Sequence, residues 1–387
     1  MLFSRLSLAF VGLLVIAPAL KFFKLFDGIG SATIFVCSLL FIFLFNKINY
    51  KNAHKFFLII ISLIFVHLLI FYGSYQLIYK YLFSFFGFFI FYYLAFNITN
   101  HIHNIEVDII CKTLIKILLL IFILMLIDFL FIDIDYVKSI FPYTEHSHFY
   151  LNTFFIFILL FIKFPLFTLL LYLLLLSFNP SLTAFPILFF MLIKTFRNIN
   201  KLTILILLVV ILIIPFLNYD FYLDRIINFE RNRSSLTYLQ GLQFIFDTLR
   251  YNPFGVGFQQ MNCTSPHIVN YYTELINSYY SYDTYQCDDA GFVFSKFVFE
   301  LGYAGLLISI IIAKKSLSSI LFLYNNFDKL KTSINHYDLF KIMSIPIFID
   351  FFVRGYGYFS FNIMIFIIGT IGISKYKFFK VNEKKIR

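Results

Sequence analysis

Three arginines, Arg231, Arg233 and Arg250, frame residues 234–249. Their planar guanidinium forks suit one kind of ligand above others, a phosphate or pyrophosphate. Between them apolar residues recur at 236, 239, 242, 246 and 249, which is one face of a helix, with a serine placed to cap it. Arg231 and Arg233 therefore precede a helix N-terminus, where backbone N–H groups add to the attraction for an anion, and Arg250 ends the helix. An amphipathic helix lying on a membrane with its arginines among lipid headgroups would carry the same pattern. The helix is expected to stop at Asn252-Pro253, after which Gly255 and Gly257 allow a tight turn where backbone can approach a ligand.

A second cluster offers a base. Glu145, His146 and His148 place a carboxylate and two imidazoles within four residues, enough to accept a proton from a hydroxyl if burial or a neighbour brings a pKa near neutrality. Polar residues capping a helix at a membrane interface would look similar. A third set lies inside apolar runs: Lys296 and Glu300 are four apart, Asp350 and Arg354 are four apart, and Asp128 stands in another run. Charges within a bilayer are costly and usually face a polar cavity, although pairing for assembly would also place them there. Asp288-Asp289 has the charge to hold a divalent ion, but neither a third ligand nor a matching spacing is evident, and no Cys/His spacing resembles a zinc site, so no metal and no cofactor are expected.

The elements that must position these residues follow from composition. Hydrophobic residues make up 61% of the 387 and charged residues only 13%, with a mean hydropathy of +0.87. A soluble domain carries about a quarter charged residues, so the fold class expected is an all-α, polytopic integral membrane protein. Phe 58 and Tyr 27 against Trp 0, with much Ile, Lys and Asn, follow the codon usage of an AT-rich bacterial genome and say little about function. Windows long enough to cross a ~30 Å core fall at about 6–20, 28–45, 56–72, 81–96, 113–132, 148–162, 165–178, 181–196, 202–218, 291–313, 342–358 and 359–374, roughly twelve transmembrane helices. Arg5 and Ala17-Pro18-Ala19 imitate a cleaved signal, but with so many later spans the first reads as a retained anchor. The chain reads as a single transmembrane domain over 1–387, without internal repeats, containing one large periplasmic loop at 219–290.

Placing the N-terminus inside puts 20 of the 31 basic residues in cytoplasmic segments and 9 in outer ones. Both termini are then cytoplasmic and residues 219–290 face outward. The +11 charge serves the inner leaflet, and no nucleic acid is called for. Cys263 and Cys287 both fall in the outer loop, where an oxidising compartment permits a disulfide.

Certain motifs also occur in a familiar order. Glu145-His146-Ser147-His148-Phe149 precedes a span and Ser181-Leu182-Thr183 opens a later one. Ser235-Leu236-Thr237-Tyr238-Leu239-Gln240-Gly241 is followed by Asn252-Pro253-Phe254-Gly255-Val256-Gly257-Phe258-Gln259-Gln260-Met261, and Asp289-Ala290-Gly291 leads to Glu300-Leu301-Gly302. Over roughly residues 140 to 310 this resembles the Wzy-type O-antigen polymerases. Each motif is loose, and their order and spacing carry the resemblance. It departs from the family pattern in having only Lys138 where an arginine often precedes the Glu-x-Ser segment, and His146 where many relatives have proline.

The resemblance implies a metal-independent, inverting, membrane-embedded glycosyltransferase in the bacterial inner membrane. It would move a glycan from its undecaprenyl pyrophosphate carrier to the next lipid-linked oligosaccharide repeat unit, with a chain-length regulator protein and a flippase as partners beside membrane lipid. Pyrophosphate leaves readily, so such an enzyme needs cations for the departing charge and a base for the acceptor hydroxyl. Arg231, Arg233 and Arg250 would supply the first, with Arg354 and Lys296 in reserve, and Glu145, His146 or His148 the second. Tyr271, Tyr272, Tyr279 and Tyr280 would stack on sugar faces, or else form an interfacial belt. An O-antigen ligase, differing in its acceptor, a lipid-linked oligosaccharide flippase and a membrane acyltransferase are the rival readings.

Overall fold

Long runs of Leu, Ile and Phe, broken by few Gly and Pro, leave the backbone no partner but itself, and every regular element among the described residues is helical. The computed structural model describes residues 2–22, 25–26, 28–44, 61–66, 69, 78–131, 146–178, 181–196, 232–261, 271–279, 291–353 and 357–386, and of Asp128, His146, His148 and Arg233 only the backbone path. Helix α1 (Leu2–Val11) passes through a π-helical turn (Gly12–Ile16) into α2 (Ala17–Phe22). There follow α3 (Ile29–Leu44), α4 (Ile78–His103), α5 (Val107–Phe131), α6 (His146–Lys163), α7 (Pro165–Phe178) and α8 (Phe185–Phe196). Next come α9 (Arg233–Tyr251), α10 (Tyr271–Tyr279), α11 (Val293–Thr332), α12 (His336–Met343), α13 (Ile347–Phe352) and α14 (Phe361–Ile386).

Two of these, Ile78–His103 and Val293–Thr332, are long and apolar enough to cross a membrane, and shorter apolar helices occupy Gly30–Phe43, Phe149–Lys163, Pro165–Leu176 and Phe361–Tyr376. The centre of the bundle is α6, whose residues from Phe149 to Ile162 are buried on every side against α5, α7, α11, α12 and α14. The surrounding helices turn large apolar side chains outward, among them Leu119 and Ile123 of α5, Phe167, Leu170 and Leu174 of α7, and Leu307, Ile310, Leu317 and Leu321 of α11.

The window 342–358 is not one span. α12 ends at Met343, Pro346 follows without an N–H to continue the ladder, α13 lasts only six residues, and the chain turns again at Gly357 (φ 82°). The window 202–218 lies outside the described residues, as does most of 56–72.

The break that organises the functional region is in α11. Gly302 takes φ 59°, ψ −135°, a combination open only to glycine, and the helix bends there. A break strands backbone groups that the helix would have paired. The turn 252–257 takes them up: the N–H groups of Val256 and Gly257 donate to the carbonyls of Phe299 (3.1 Å) and Glu300 (3.0 Å), and Tyr303 N–H donates to the Pro253 carbonyl (2.9 Å). Gly255 (φ 78°) and Gly257 (φ 113°) supply the conformations the turn needs. The sequence suggested that they let backbone approach a ligand, but the backbone that Gly255 meets is that of α11 at Glu300 and Leu301.

A methyl group at residue 302 would strike the Pro253 carbonyl and force a residue other than glycine into this conformation. The conformational term alone costs about 1–3 kcal/mol. Gly302→Ala should therefore melt well below the parent protein in detergent, whereas Gly28→Ala, whose added methyl meets only the Ser31 hydroxyl at 3.9 Å, should melt with it. Equal melting of the two variants would remove the interlocked break from this account.

Candidate functional site

Helix α9 begins one residue earlier than its apolar pattern suggests and is capped by Asn232 rather than by a serine. The Asn232 side chain accepts from Ser235 N–H at 3.3 Å, and its carbonyl from Leu236 N–H at 3.0 Å. The helix ends at Tyr251, just before Asn252-Pro253, as expected. Its buried face differs from the one read in the sequence. Leu236, Gln240, Phe244, Ile245 and Thr248 point inward while Phe246 is 71% exposed, because α10 covers the Gln240 side and Gln240 Nε2 donates to Thr273 Oγ1 at 2.7 Å.

α9 runs alongside the first turns of α11 and in the same direction. Tyr238 packs on Phe292 (ring centroids 4.7 Å), Phe244 packs on Phe299 (5.1 Å), and Pro253 reaches Tyr303. Arg233 and Arg250 consequently stand at opposite ends of one helix, about 26 Å apart along the axis at 1.5 Å per residue. They cannot share a single pyrophosphate, and the three-arginine clamp expected from the sequence is corrected to that extent. Arg250 is exposed, its guanidinium 5.1 Å from the Tyr251 ring centroid. The Arg233 end reaches α13, for Tyr238, five residues on, donates its hydroxyl to the Phe352 carbonyl at 3.2 Å, while the Arg250 end leads into the turn that bonds to Glu300. Burial pushes the Tyr238 phenol above its ordinary pKa, so it stays a donor.

Beside this contact lie two buried carboxylates. Glu300, in the last turn before the Gly302 break, is fully buried and accepts from the Tyr358 hydroxyl at 2.5 Å through Oε2. Among the described residues its Oε1 has no hydrogen-bond partner. The backbone N–H of Gln259 faces the carboxylate, and Gln259 is held at φ 60°, a strained value for a residue other than glycine. Lys296, one turn back and 8% exposed, lies with Nζ 5.5 Å from the Tyr358 ring centroid, close enough for its charge to act on Glu300. Asp350, also fully buried, accepts from Ser360 Oγ and from Asn362 Nδ2 (3.0 Å). Asn362 Nδ2 in turn also donates to the Leu151 carbonyl of α6 at 3.0 Å.

That last bond joins the clusters. Leu151 is three residues beyond His148, so the first turn of α6, which carries His146 and His148, lies beside the Asp350 network, and the Asp350 segment connects through Tyr358 to Glu300 and through Phe352 to α9. Four stretches distant in sequence thus converge at one end of the bundle. Beneath Tyr358 there is an apolar cavity of about 30 Å³, lined by Phe88, Val293, Phe297, Ile312 and Phe351 among others, too small for a sugar.

Glu145, Arg231, Tyr280, Arg354, Cys263 and Cys287 lie outside the described residues, and so does Asp288-Asp289. Among the described residues no three His, Cys, Asp or Glu side chains gather as metal ligands. Tyr271 and Tyr279 are exposed on α10, and Tyr272 stacks edge-on against Tyr271 at 5.2 Å. Tyr358, Ser360 and Asn362 are not among the residues singled out from the sequence, and Gln259 enters only as part of the Asn252–Met261 motif. The signal available was Ser360, a cap placed where two expected spans met, whose Oγ accepts from Ile363 N–H at 3.2 Å. No protein-family model, curated protein or solved structure matches the chain.

The Tyr358–Glu300 bond is testable apart from any activity. Removing a donor from a buried charged acceptor costs about 1–3 kcal/mol. Tyr358→Phe and Glu300→Gln should each destabilise the protein, and in a double-mutant cycle the pair should lose less than the sum, with a coupling of roughly 0.5–3 kcal/mol. Additive losses would mean that the two side chains do not act on one another.

Proposed function

We propose that this is a multi-pass inner-membrane protein of about twelve spans with cytoplasmic termini, and that it polymerises surface polysaccharide by inverting transfer between undecaprenyl pyrophosphate-linked repeat units on the periplasmic side. The observation that carries the reading is that buried Glu300, Lys296 and Asp350 are linked to the first turns of α6 and to the Tyr238 stretch of α9 within an otherwise apolar bundle. Outward-facing Leu, Ile and Phe on α5, α7 and α11 favour a lipid surround, since a water-facing monomer rarely exposes so much contiguous apolar area. The order of the motifs, which resembles that of Wzy-type polymerases, favours this transfer over others.

In this reading the donor pyrophosphate is held by Arg231, Arg233 and the α9 N-terminus, with Arg354 as a further cation. Cations there stabilise the leaving group, which would otherwise carry its charge into a poorly hydrated site. The base comes from Glu145, His146 or His148 at the head of α6, taking the proton of the acceptor hydroxyl as it attacks the anomeric carbon. Glu300, Lys296 and Asp350 hold the wall on which these groups are mounted. Exposed Tyr271 and Tyr279 on α10 offer faces for the glycan. A ligase would use the same groups on a different acceptor; a flippase needs no base and no leaving-group clamp.

Gel analysis of lipopolysaccharide from a deletion strain separates these. Loss of a polymerase leaves core with one repeat unit, loss of a ligase leaves bare core with polymer still on its carrier, and loss of a flippase abolishes both. Within the polymerase reading, Arg233→Ala and Arg233→Lys should both cut turnover about a hundredfold, on the order of 3 kcal/mol, at matched protein levels, because a point charge cannot replace a bidentate fork. Normal ladders from Arg231→Ala, Arg233→Ala and Arg354→Ala together would exclude this placement of the pyrophosphate. Sidedness has its own check: cysteines introduced near residues 198 and 380 should resist an impermeant thiol reagent in intact cells while one near 270 is labelled.

A further inference from the structure

The C-terminal tip of α9 has a different character from its N-terminal end. Phe246 and Phe254 are each 71% exposed and Tyr251 65%, with exposed Arg250 among them. Such side chains at the end of a loop element in water would be an aggregation hazard. They lie next to Tyr303, which is bonded to Pro253, and Tyr303 begins the outward apolar row of α11 that continues through Leu307. The row runs on to Ile310, about 10 Å beyond Tyr303 along the helix, before exposed Lys314 interrupts it.

The turn itself meets a second requirement. Irregular backbone is tolerated near hydrocarbon only where its polar groups are satisfied by protein. Here Gly255 N–H donates to Asn252 (2.7 Å), Val256 and Gly257 N–H to α11, and Gln260 N–H to Gly257 (3.2 Å), while the Pro253 carbonyl receives Tyr303. A turn in water would need none of this from α11.

We infer that the tip of α9 is seated in the phospholipid bilayer. α9 stands beside α11 rather than lying flat on the membrane, with Phe254 at the tip against acyl chains and with Tyr251, Arg250 and Phe246 above it at the headgroups, where aromatic rings and guanidinium groups are favoured. Arg250 then serves lipid phosphates. The inference rests on the membrane reading above, and its test separates the two.

Because the chain has no tryptophan, a single introduced indole reports alone. Phe254→Trp, Leu307→Trp and Glu274→Trp variants of the full chain, each checked for polymer formation in cells, would be reconstituted in vesicles with and without brominated acyl chains. Severalfold quenching at 254 and 307, with 274 quenched only by aqueous iodide, is the expected result. Quenching at 307 with iodide access at 254 would overturn the seated tip and leave the membrane span standing; iodide access at both positions would overturn both. As a second readout, Arg250→Lys should retain near-normal polymer, since a point charge suffices among headgroups, and a loss as deep as that of Arg233→Lys would also overturn the assignment.

Discussion

A helix that breaks in apolar surroundings must have its stranded backbone groups paired, and the region built around α11 depends on meeting that demand. At Gly302 the demand is met by the turn 252–257, which places three main-chain hydrogen bonds across the break. Each is worth about 1 kcal/mol net, but leaving any of them open in a low-dielectric setting costs several times that. The turn and the break are therefore a single unit. By anchoring the end of α9 at Tyr303 the unit sets the direction of α9, and by bringing Gln259 onto Glu300 it sets the wall of the site.

The charges at that wall are handled inside the protein. Glu300 is met by a phenol, a backbone N–H and a neighbouring lysine, and Asp350 by a hydroxyl and an amide. Asp350 is thereby fixed in place, whereas Glu300 keeps Oε1 without a hydrogen-bond partner among the described residues. Their expense is justified by what they connect: Asn362 ties the head of α6 to the α13–α14 turn, and Tyr358 ties that turn to α11. Four separate stretches are thereby held in register.

How much of this could be read in the sequence depends on how local the signal is. The helical class and the span of α9 follow from apolar periodicity and from Asn252-Pro253, which are local. The buried face of α9 does not, because the pattern at 236, 239, 242, 246 and 249 treats Phe246 as inward, whereas the pairing of Gln240 with Thr273 on α10 rotates the helix away from it. The convergence of Leu151, Asp350 and Asn362 spans more than half the chain and leaves no periodic trace. The expected single span at 342–358 failed where Pro346 and Gly357 interrupt an apolar run whose hydropathy gives no warning.

The fit between Gly255 and Gly302 has a consequence for how such a sequence can drift. A side chain added at 255 meets the backbone of Glu300 and Leu301, and one added at 302 meets the backbone of Pro253 and the amide of Gly255. Main chain cannot be trimmed by a compensating substitution as a bulky neighbour can. Neither glycine, then, has a second-site rescue within reach, and both are barred to variation for as long as α11 breaks there. An evolving lineage would have to lose the break and the turn together, through an intermediate with neither interlock nor continuous helix. Diversification is left to the side chains that leave the interlock outward, such as Phe254, and to residues beyond the turn, so the region can change what it touches much more readily than how it is folded.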